Sequence, residues 1–354
     1  MFIEIERNMG SFRKGQNDMG ILFLKGGTYT TIQDNGRVGY QNVGFSVSGV
    51  MDKKAYRLAN MLLDNHPKEA VLEFCMTGPC IKFLSDTFIS ITGADFSPKV
   101  NGFLVLNYKA IQIHKNDVLE FASSQNGMWG YLAFAGGMNS KPVMGSSSTH
   151  VRCKVGGFHG RCIKKGDYIG LKELVAYLPQ YLSRTVPTKF LENYQSEKIR
   201  VICGPQNDAF TAKGIDTFFS SEYKVTEQCD RMGYRLDGNS IEHKECGADI
   251  ISDGISLGAI QIPSQGKPII MLADRQTTGG YTKIATVISL DIPILVQKRA
   301  GDKVYFEEVT IHQATELLKK QSEEFHDISQ EIHKPCKEVL NPRVVAQRLR
   351  VLFE

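Results

Sequence analysis

One tryptophan in 354 residues argues against a carbohydrate-binding or membrane-interface protein, since both depend on aromatic surfaces. No apolar run approaches the ~18 residues of a membrane-spanning helix, and the most apolar stretches, such as 268–273, are strand-sized. Residues 1–20 mix Glu4, Glu6, Arg7 and Arg13 with no apolar core, so no secretory leader is expected. Strong charge is lacking as well. The 42 Lys and Arg against 38 Asp and Glu leave a formal +4, too mild for a nucleic-acid footprint. There is no GxxxxGK[ST] loop and no GxGxxG turn leading from a strand into a helix, so any nucleotide would be held in another way. Eight cysteines without a leader fit free thiols in a reducing compartment. These absences predict a cytoplasmic chain that partners neither membrane nor nucleic acid.

Glycine is in surplus, with 33 residues spread between short apolar runs. The runs at Phe88, Phe103, Val118 and Tyr131 are bounded by breakers: Gly93, Asn101-Gly102, Asn116-Asp117 and Gly136-Gly137. Asn101-Gly102 between two such runs predicts a tight hairpin. Many short strands with frequent turns predict a mainly β chain with few helices, a barrel or sandwich and not a βαβ sheet. Helices are expected over 52–63, where Ala55, Leu58, Ala59 and Leu62 share a face behind Asp52, over 208–219 and over 316–326. A basic amphipathic helix is expected over 341–353. At ~150 residues per domain the length predicts two domains, joined by the polar, irregular stretch 181–198. Gln33 to Tyr40 and Cys229 to Tyr234 both place an acid ahead of Arg-x-Gly-Tyr, as duplication of one unit would.

Two stretches concentrate the chemistry. Residues 30–52 carry Asp34, Asp52, Arg37, several hydroxyls and four glycines ahead of the first helix. Glycine lets backbone approach a ligand and turn N–H groups toward an anion, and arginine adds bidentate recognition of carboxylate or phosphate. The same residues also suit a plain glycine-rich turn with an Asp–Arg pair and Asp52 as a helix cap. Residues 252–261 lead into the apolar run 268–273, which ends in Asp274-Arg-Gln-Thr-Thr-Gly-Gly-Tyr281. A strand ending this way has the form of a ligand-facing loop, although a polar hairpin over a buried Asp–Arg pair would look alike. His150, Cys153, His159 and Cys162 form a paired His-x-x-Cys pattern, but only five residues separate the pairs, fewer than zinc sites use, so no metal is expected. Cys229 adjoins Asp230 and Arg231, a setting that could lower a thiol pKa, though cysteines are often buried and inert.

In order and spacing, residues 30–52, Gly130 to Gly137, 145–167, Asp230 to Leu236 and 252–284 resemble the allophanate hydrolase subunit 2 family. It is also called the biotin-dependent carboxyltransferase family and includes KipA and the C subunit of 5-oxoprolinase. The resemblance covers 20–308 and is carried best by SDGIxxGAIQ and ADRQTTGGY. It implies tandem cyclophilin-like β-barrels, here 19–185 and 196–312, while the residues outside them read by their own pattern as an extension over 1–18 and a helical tail over 313–354. It also implies a KipI-type (allophanate hydrolase subunit 1) partner and a LamB/YcsF-type third subunit. The chain departs from the pattern at Ser147, where relatives commonly carry the arginine of GSRST, and at Val38, Ser46 and Cys229. It has no biotin-attachment Met-Lys-Met.

The expectation from the resemblance is a subunit of an ATP-dependent 5-oxoprolinase, cleaving the amide C–N bond of 5-oxoproline, with ATP shared with the partner subunit. A KipA-type regulatory binding protein and the carboxyltransferase component of a urea or amide carboxylase are the alternatives. Asp34, Asp52, Asp230 and Asp274 are the candidate catalytic acids, to orient arginines or act as a base. Arg37, Arg231 and Arg275 are candidates for substrate carboxylate and phosphate, and Gln33, Gln261, Gln276 and Thr277 for the amide. Tyr40, Ser48, Tyr234, Thr278 and Tyr281 complete the expected substrate-binding set.

Overall fold

A computed structural model describes residues 19–172 and 179–334. The first half holds β1 (Gly20–Lys25), β2 (Tyr29–Gln33), β3 (Val71–Cys75), β4 (Cys80–Phe83), β5 (Thr87–Asp95) and β6 (Lys99–Val100). It continues with β7 (Phe103–Leu104), β8 (Ala110–Ile113), β9 (Val118–Glu120), β10 (Asn126–Phe134) and β11 (Tyr168–Gly170). These strands make two antiparallel sheets, ordered β11-β1-β4-β9-β6-β7 and β2-β3-β10-β5-β8. The second half holds β12 (Lys198–Cys203), β13 (Tyr223–Cys229), β14 (Gly233–Asp237), β15 (Asp249–Gly254) and β16 (Ala259–Gln261). After them come β17 (Ile269–Met271), β18 (Thr278–Tyr281), β19 (Lys283–Val287) and β20 (Lys303–Glu308). Here β12-β19-β16-β17-β14-β13-β20 close into a barrel through the parallel pairing of β12 with β20, while β15 and β18 form a separate two-stranded arm.

The chain is mainly β with few helices, as expected, and the closed barrel lies in the second half. The expected hairpin joins β6 to β7 with Asn101 at φ 51°, in the left-handed region that asparagine tolerates. Helix α1 (Lys53–Leu62) begins behind Asp52, whose side chain accepts from the Ala55 N–H. The helix expected over 208–219 is α2 (Ala212–Ser220), because Thr211 caps it and residues 207–209 form a 3-10 turn instead. A short helix, α3 (Ile292–Val296), is all apolar and strand-like in sequence, and Pro293 in its first turn is the one local signal for a helix. The helix expected over 316–326 extends to α4 (Ile311–Ile332), started by a Thr310–Gln313 capping box. The 1–18 extension and the helix expected over 341–353 lie outside the described residues. Residues 181–198, expected as a linker, contain 3-10 turns and no long element. Among the described residues no helix is long and apolar enough to cross a membrane.

Strand alternation explains how the halves meet. In β3, Leu72 and Phe74 face the core of the first half, while Val71, Glu73 and Cys75 take the opposite face. In β10, Leu132 and Phe134 join that core, and Trp129, Tyr131 and Ala133 face the other way. The second face is buried in a cluster shared with α1, α3 and barrel residues such as Tyr234, Ile270 and Val287. The sheet β2-β3-β10-β5-β8 is therefore buried on both sides, which explains its nearly unbroken apolar runs.

Candidate functional site

The loops singled out by sequence converge where the halves meet. Asp34 directly follows β2 and ties two of them together. Its Oδ1 accepts from Gly36 N (2.8 Å), Ser146 Oγ (2.6 Å) and Ser148 Oγ (2.5 Å), and its Oδ2 accepts from Ser147 N (2.6 Å). Ser147, in place of the family's common arginine, is itself buried. Arg37 is 1% exposed and donates to the carbonyls of Val143 (3.1 Å) and Ser148 (2.8 Å). Gly156 makes room for it: at φ +72°, a Cβ there would sit 2.7 Å from Arg37 Nη2 and 2.2 Å from Ser148 O. Gln33 is buried and donates to Thr149 O and Thr31 Oγ1, each at 3.0 Å, while Tyr40 is partly exposed and Ser48 is buried. Asp52 has no access to solvent. Beyond capping α1, it accepts from Tyr194 Oη (2.8 Å) and Gln297 Nε2 (3.0 Å), and burial pushes its carboxyl up.

Arg231 sits at the centre of the interface, 4% exposed. It grips Asp274 through Nε (2.9 Å) and Nη2 (3.0 Å), donates to Gly49 O (2.6 Å), and turns Nη1 to Glu73. Two acids thus share one guanidinium. Burial alone would raise Asp274, but Arg231 holds it below the usual carboxylate range. Glu73 goes the other way, raised by burial that Arg231 and the Met51 N–H only partly offset. Glu73 is absent from the sequence-derived set; its signal there is a lone acid inside the apolar strand Val-Leu-Glu-Phe-Cys. Tyr234 is a core residue, donating to Val296 O (2.8 Å) and accepting from Trp129 Nε1 (3.2 Å). Arg275 is buried and donates to Ile255 O and Leu272 O, and its own carbonyl accepts from Ser46 Oγ (2.7 Å) across the interface. Burial raises the Cys75 thiol to about 12 and also raises that of Cys229, with Asp230 adding to it, the reverse of what an activated thiolate needs.

Beside this buried cluster opens a cleft of ≈ 420 Å³ between the barrel wall and the β15–β18 arm. Asp230, Gln261, Gln276 and Tyr281 from the predicted set line it, joined by Arg152 and Arg235, which sequence reasoning missed. Arg152 lies inside the His-x-x-Cys segment, where His150 Nδ1 accepts from the Cys153 N–H (3.1 Å). Gln261, 2% exposed at the end of β16, forms part of the cleft lining, and its Nε2 has no hydrogen-bond partner. Gly279 allows this: a Cβ there would stand 2.8 Å from Gln261 Nε2 and 2.6 Å from Ile255 Cδ1. Thr278 pairs with Gly254 in the arm, and Thr277 O accepts from the Ile255 N–H (3.0 Å). Arg152 lies 3.9 Å from Asp230, whereas Arg235 has no carboxylate partner among the described residues. The cleft lining therefore combines the Arg235 guanidinium with two acids, Glu227 and Asp230, and with Gln261, whose buried Nε2 has no hydrogen-bond partner.

The model of the carboxyltransferase domain, subdomains A and B, matches residues 43–308. The chain belongs to this family. A carboxyltransferase-family relative from Haemophilus influenzae, the C subunit of 5-oxoprolinase, is 34% identical over 290 residues, covering 82% of this chain and 91% of that protein. The corresponding C subunit of Escherichia coli 5-oxoprolinase is 31% identical, covering 88% and 99%. Among solved structures, the Kluyveromyces lactis urea amidolyase aligns at TM-score 0.82 and 28% identity over 93% of this chain, which spans 21% of that much longer one. The carboxyltransferase fold thus occurs both in a protein named as a subunit and as a portion of a larger enzyme.

Proposed function

We propose that this chain is a subunit of a cytoplasmic, ATP-dependent 5-oxoprolinase that acts with a KipI-type subunit and a LamB/YcsF-type third subunit. The observation that carries this reading is Gln261 in the cleft lining, whose buried Nε2 has no partner and would donate to an amide carbonyl once a substrate displaces its cover. Arg235, without a carboxylate partner among the described residues, would take the substrate carboxylate. The near full-length likeness to two 5-oxoprolinase C subunits supports it. Hydrolysis of an unactivated lactam is slow and unfavourable. Transfer of the γ-phosphoryl group of ATP to the amide oxygen releases ADP, and water then adds at that carbon. The C–N bond breaks as the nitrogen takes a proton, leaving an acyl phosphate, and a second water hydrolyses this to glutamate and inorganic phosphate. ATP is shared with the partner subunit, and preorganised donors would hold the charge developing on the substrate.

The test is 5-oxoproline-dependent ATP hydrolysis by the reconstituted three-protein complex. Gln261→Ala is expected to lower kcat/KM by roughly 10- to 100-fold, the usual consequence of losing one specific hydrogen bond. Full activity in that variant would remove Gln261 from the site. The urea amidolyase likeness supports a second reading, a carboxyltransferase, which would consume carboxybiotin and show no 5-oxoproline-dependent ATP hydrolysis. A KipA-type binding protein would form the complex and turn over neither.

A further inference from the structure

A second cleft, also ≈ 420 Å³, lies between α1, α4 and the segment leading into α3, and it shares no lining residue with the first. Lys53, Lys54 and Arg57 line it together with Asn35 and Ser289, and no carboxylate does. This charge arrangement works against stability. The cations occupy the first turns of α1, where the helix dipole disfavours positive charge by ~0.3–1 kcal/mol each. Lys53 and Arg57 are also four apart on one helix face, a like-charge spacing that costs ~0.2–0.5 kcal/mol.

The acids on neighbouring elements do not relieve it. Glu192 (2.9 Å) and Glu324 (3.0 Å) both go to Lys54, and among the described residues neither Lys53 nor Arg57 has a carboxylate partner. Both residues keep solvent exposure, and partial desolvation lowers both groups from their usual values, with the Arg275 charge lowering Lys53 further. Arg57 lies 3.7 Å over the Phe325 ring, a contact that orients the guanidinium without neutralising it.

We propose that this cleft binds a phosphate-bearing small molecule, with Lys53 and Arg57 contacting the anion and Asn35 and Ser289 supplying neutral hydrogen bonds. Two unmatched cations suit a dianionic phosphate, whereas one carboxylate would leave a cation unmatched. The aromatic and aliphatic walls, Tyr56, Pro293, Leu318 and Phe325, suit an organic group attached to the phosphate. The inference does not depend on the 5-oxoprolinase reading.

Pyrophosphate titrated into the full chain at constant ionic strength tests it, read by calorimetry and by Tm. Wild type is expected to bind and to gain Tm with pyrophosphate. The Lys53→Gln/Arg57→Gln double variant should weaken binding at least 10-fold while its ligand-free Tm stays level or rises, because the repulsion it relieves offsets the lost Arg57–Phe325 contact. The control is Lys319→Gln/Lys320→Gln, the same charge change on the exposed side of α4, and it should bind as wild type does. No binding by wild type overturns the proposal, as does equal binding by the double variant or equal loss in the control. A lower ligand-free Tm in the double variant would assign the cations a structural role and likewise overturn it.

Discussion

At Arg231, one buried guanidinium answers Glu73 of β3 and Asp274 beyond β17, from opposite halves of the chain. Replacing it by Met leaves two carboxylates facing each other out of water, and breaking a buried pair this way costs about 3–5 kcal/mol. The pH dependence follows from the signs. Without Arg231, both acids would have folded-state pKa values above their unfolded ones, so the folded state would bind protons more tightly. Arg231→Met should therefore be most destabilised at pH 8 and recover part of the loss by pH 5, measured by urea unfolding at each pH. A deficit independent of pH would refute this account. A buried Asp–Arg pair was legible in the 274–281 stretch. The third member was not, because a single Glu between apolar residues does not announce which distant cation it meets.

Gln297, one residue beyond α3, links several elements through one amide. Its Oε1 accepts from the Met128 and Trp129 N–H groups (2.8 Å each), where the pairing of β10 with β5 shifts register. Its Nε2 donates to Trp129 O and to Asp52 Oδ2, both at 3.0 Å. Gln297→Ala would strand two backbone donors and remove a donor from a fully buried acid, at a cost of about 2–4 kcal/mol. Thermal unfolding checks this, and a change below about 1 kcal/mol would mean that water replaces the amide. For Asp52, the cap role was readable from its place ahead of an amphipathic run. Its burial, with Tyr194 and Gln297 as partners, depends on contacts 142 and 245 residues away in sequence and left no local pattern.

Across the whole molecule, α4 returns from the barrel to the first half, where Phe325, Ile328 and Ile332 pack with Leu58, Leu62, Tyr108 and Val186. Its end is fastened by Asp64, which accepts from Arg184 Nη2 and pairs with His333, both at 2.7 Å. Partial burial would raise Asp64, but Arg184 and His333 outweigh it and hold the carboxyl below its usual range. A depressed carboxylate contributes stability above its unfolded pKa, ~3.9, and loses it as pH falls through the lower folded value. Asp64→Asn should therefore be less stable than wild type at pH 7, with the two curves converging below about pH 3. A constant gap down to pH 2 would contradict the assignment.

Short apolar runs between glycine and asparagine turns determined the mainly β class, the Asn101-Gly102 hairpin and the start of α1, because each rests on neighbours within a few residues. The motif stretches pointed to loops that the fold brings together where the halves meet. Their individual roles were decided only by tertiary structure. Asp34, Arg37, Arg231 and Asp274 became buried ties, and Gln261 and Tyr281 came to line a cleft completed by Arg152 and Arg235. Whether a polar side chain holds a loop or awaits a ligand depends on which donors and acceptors reach it, and those arrive from strands far away in the chain.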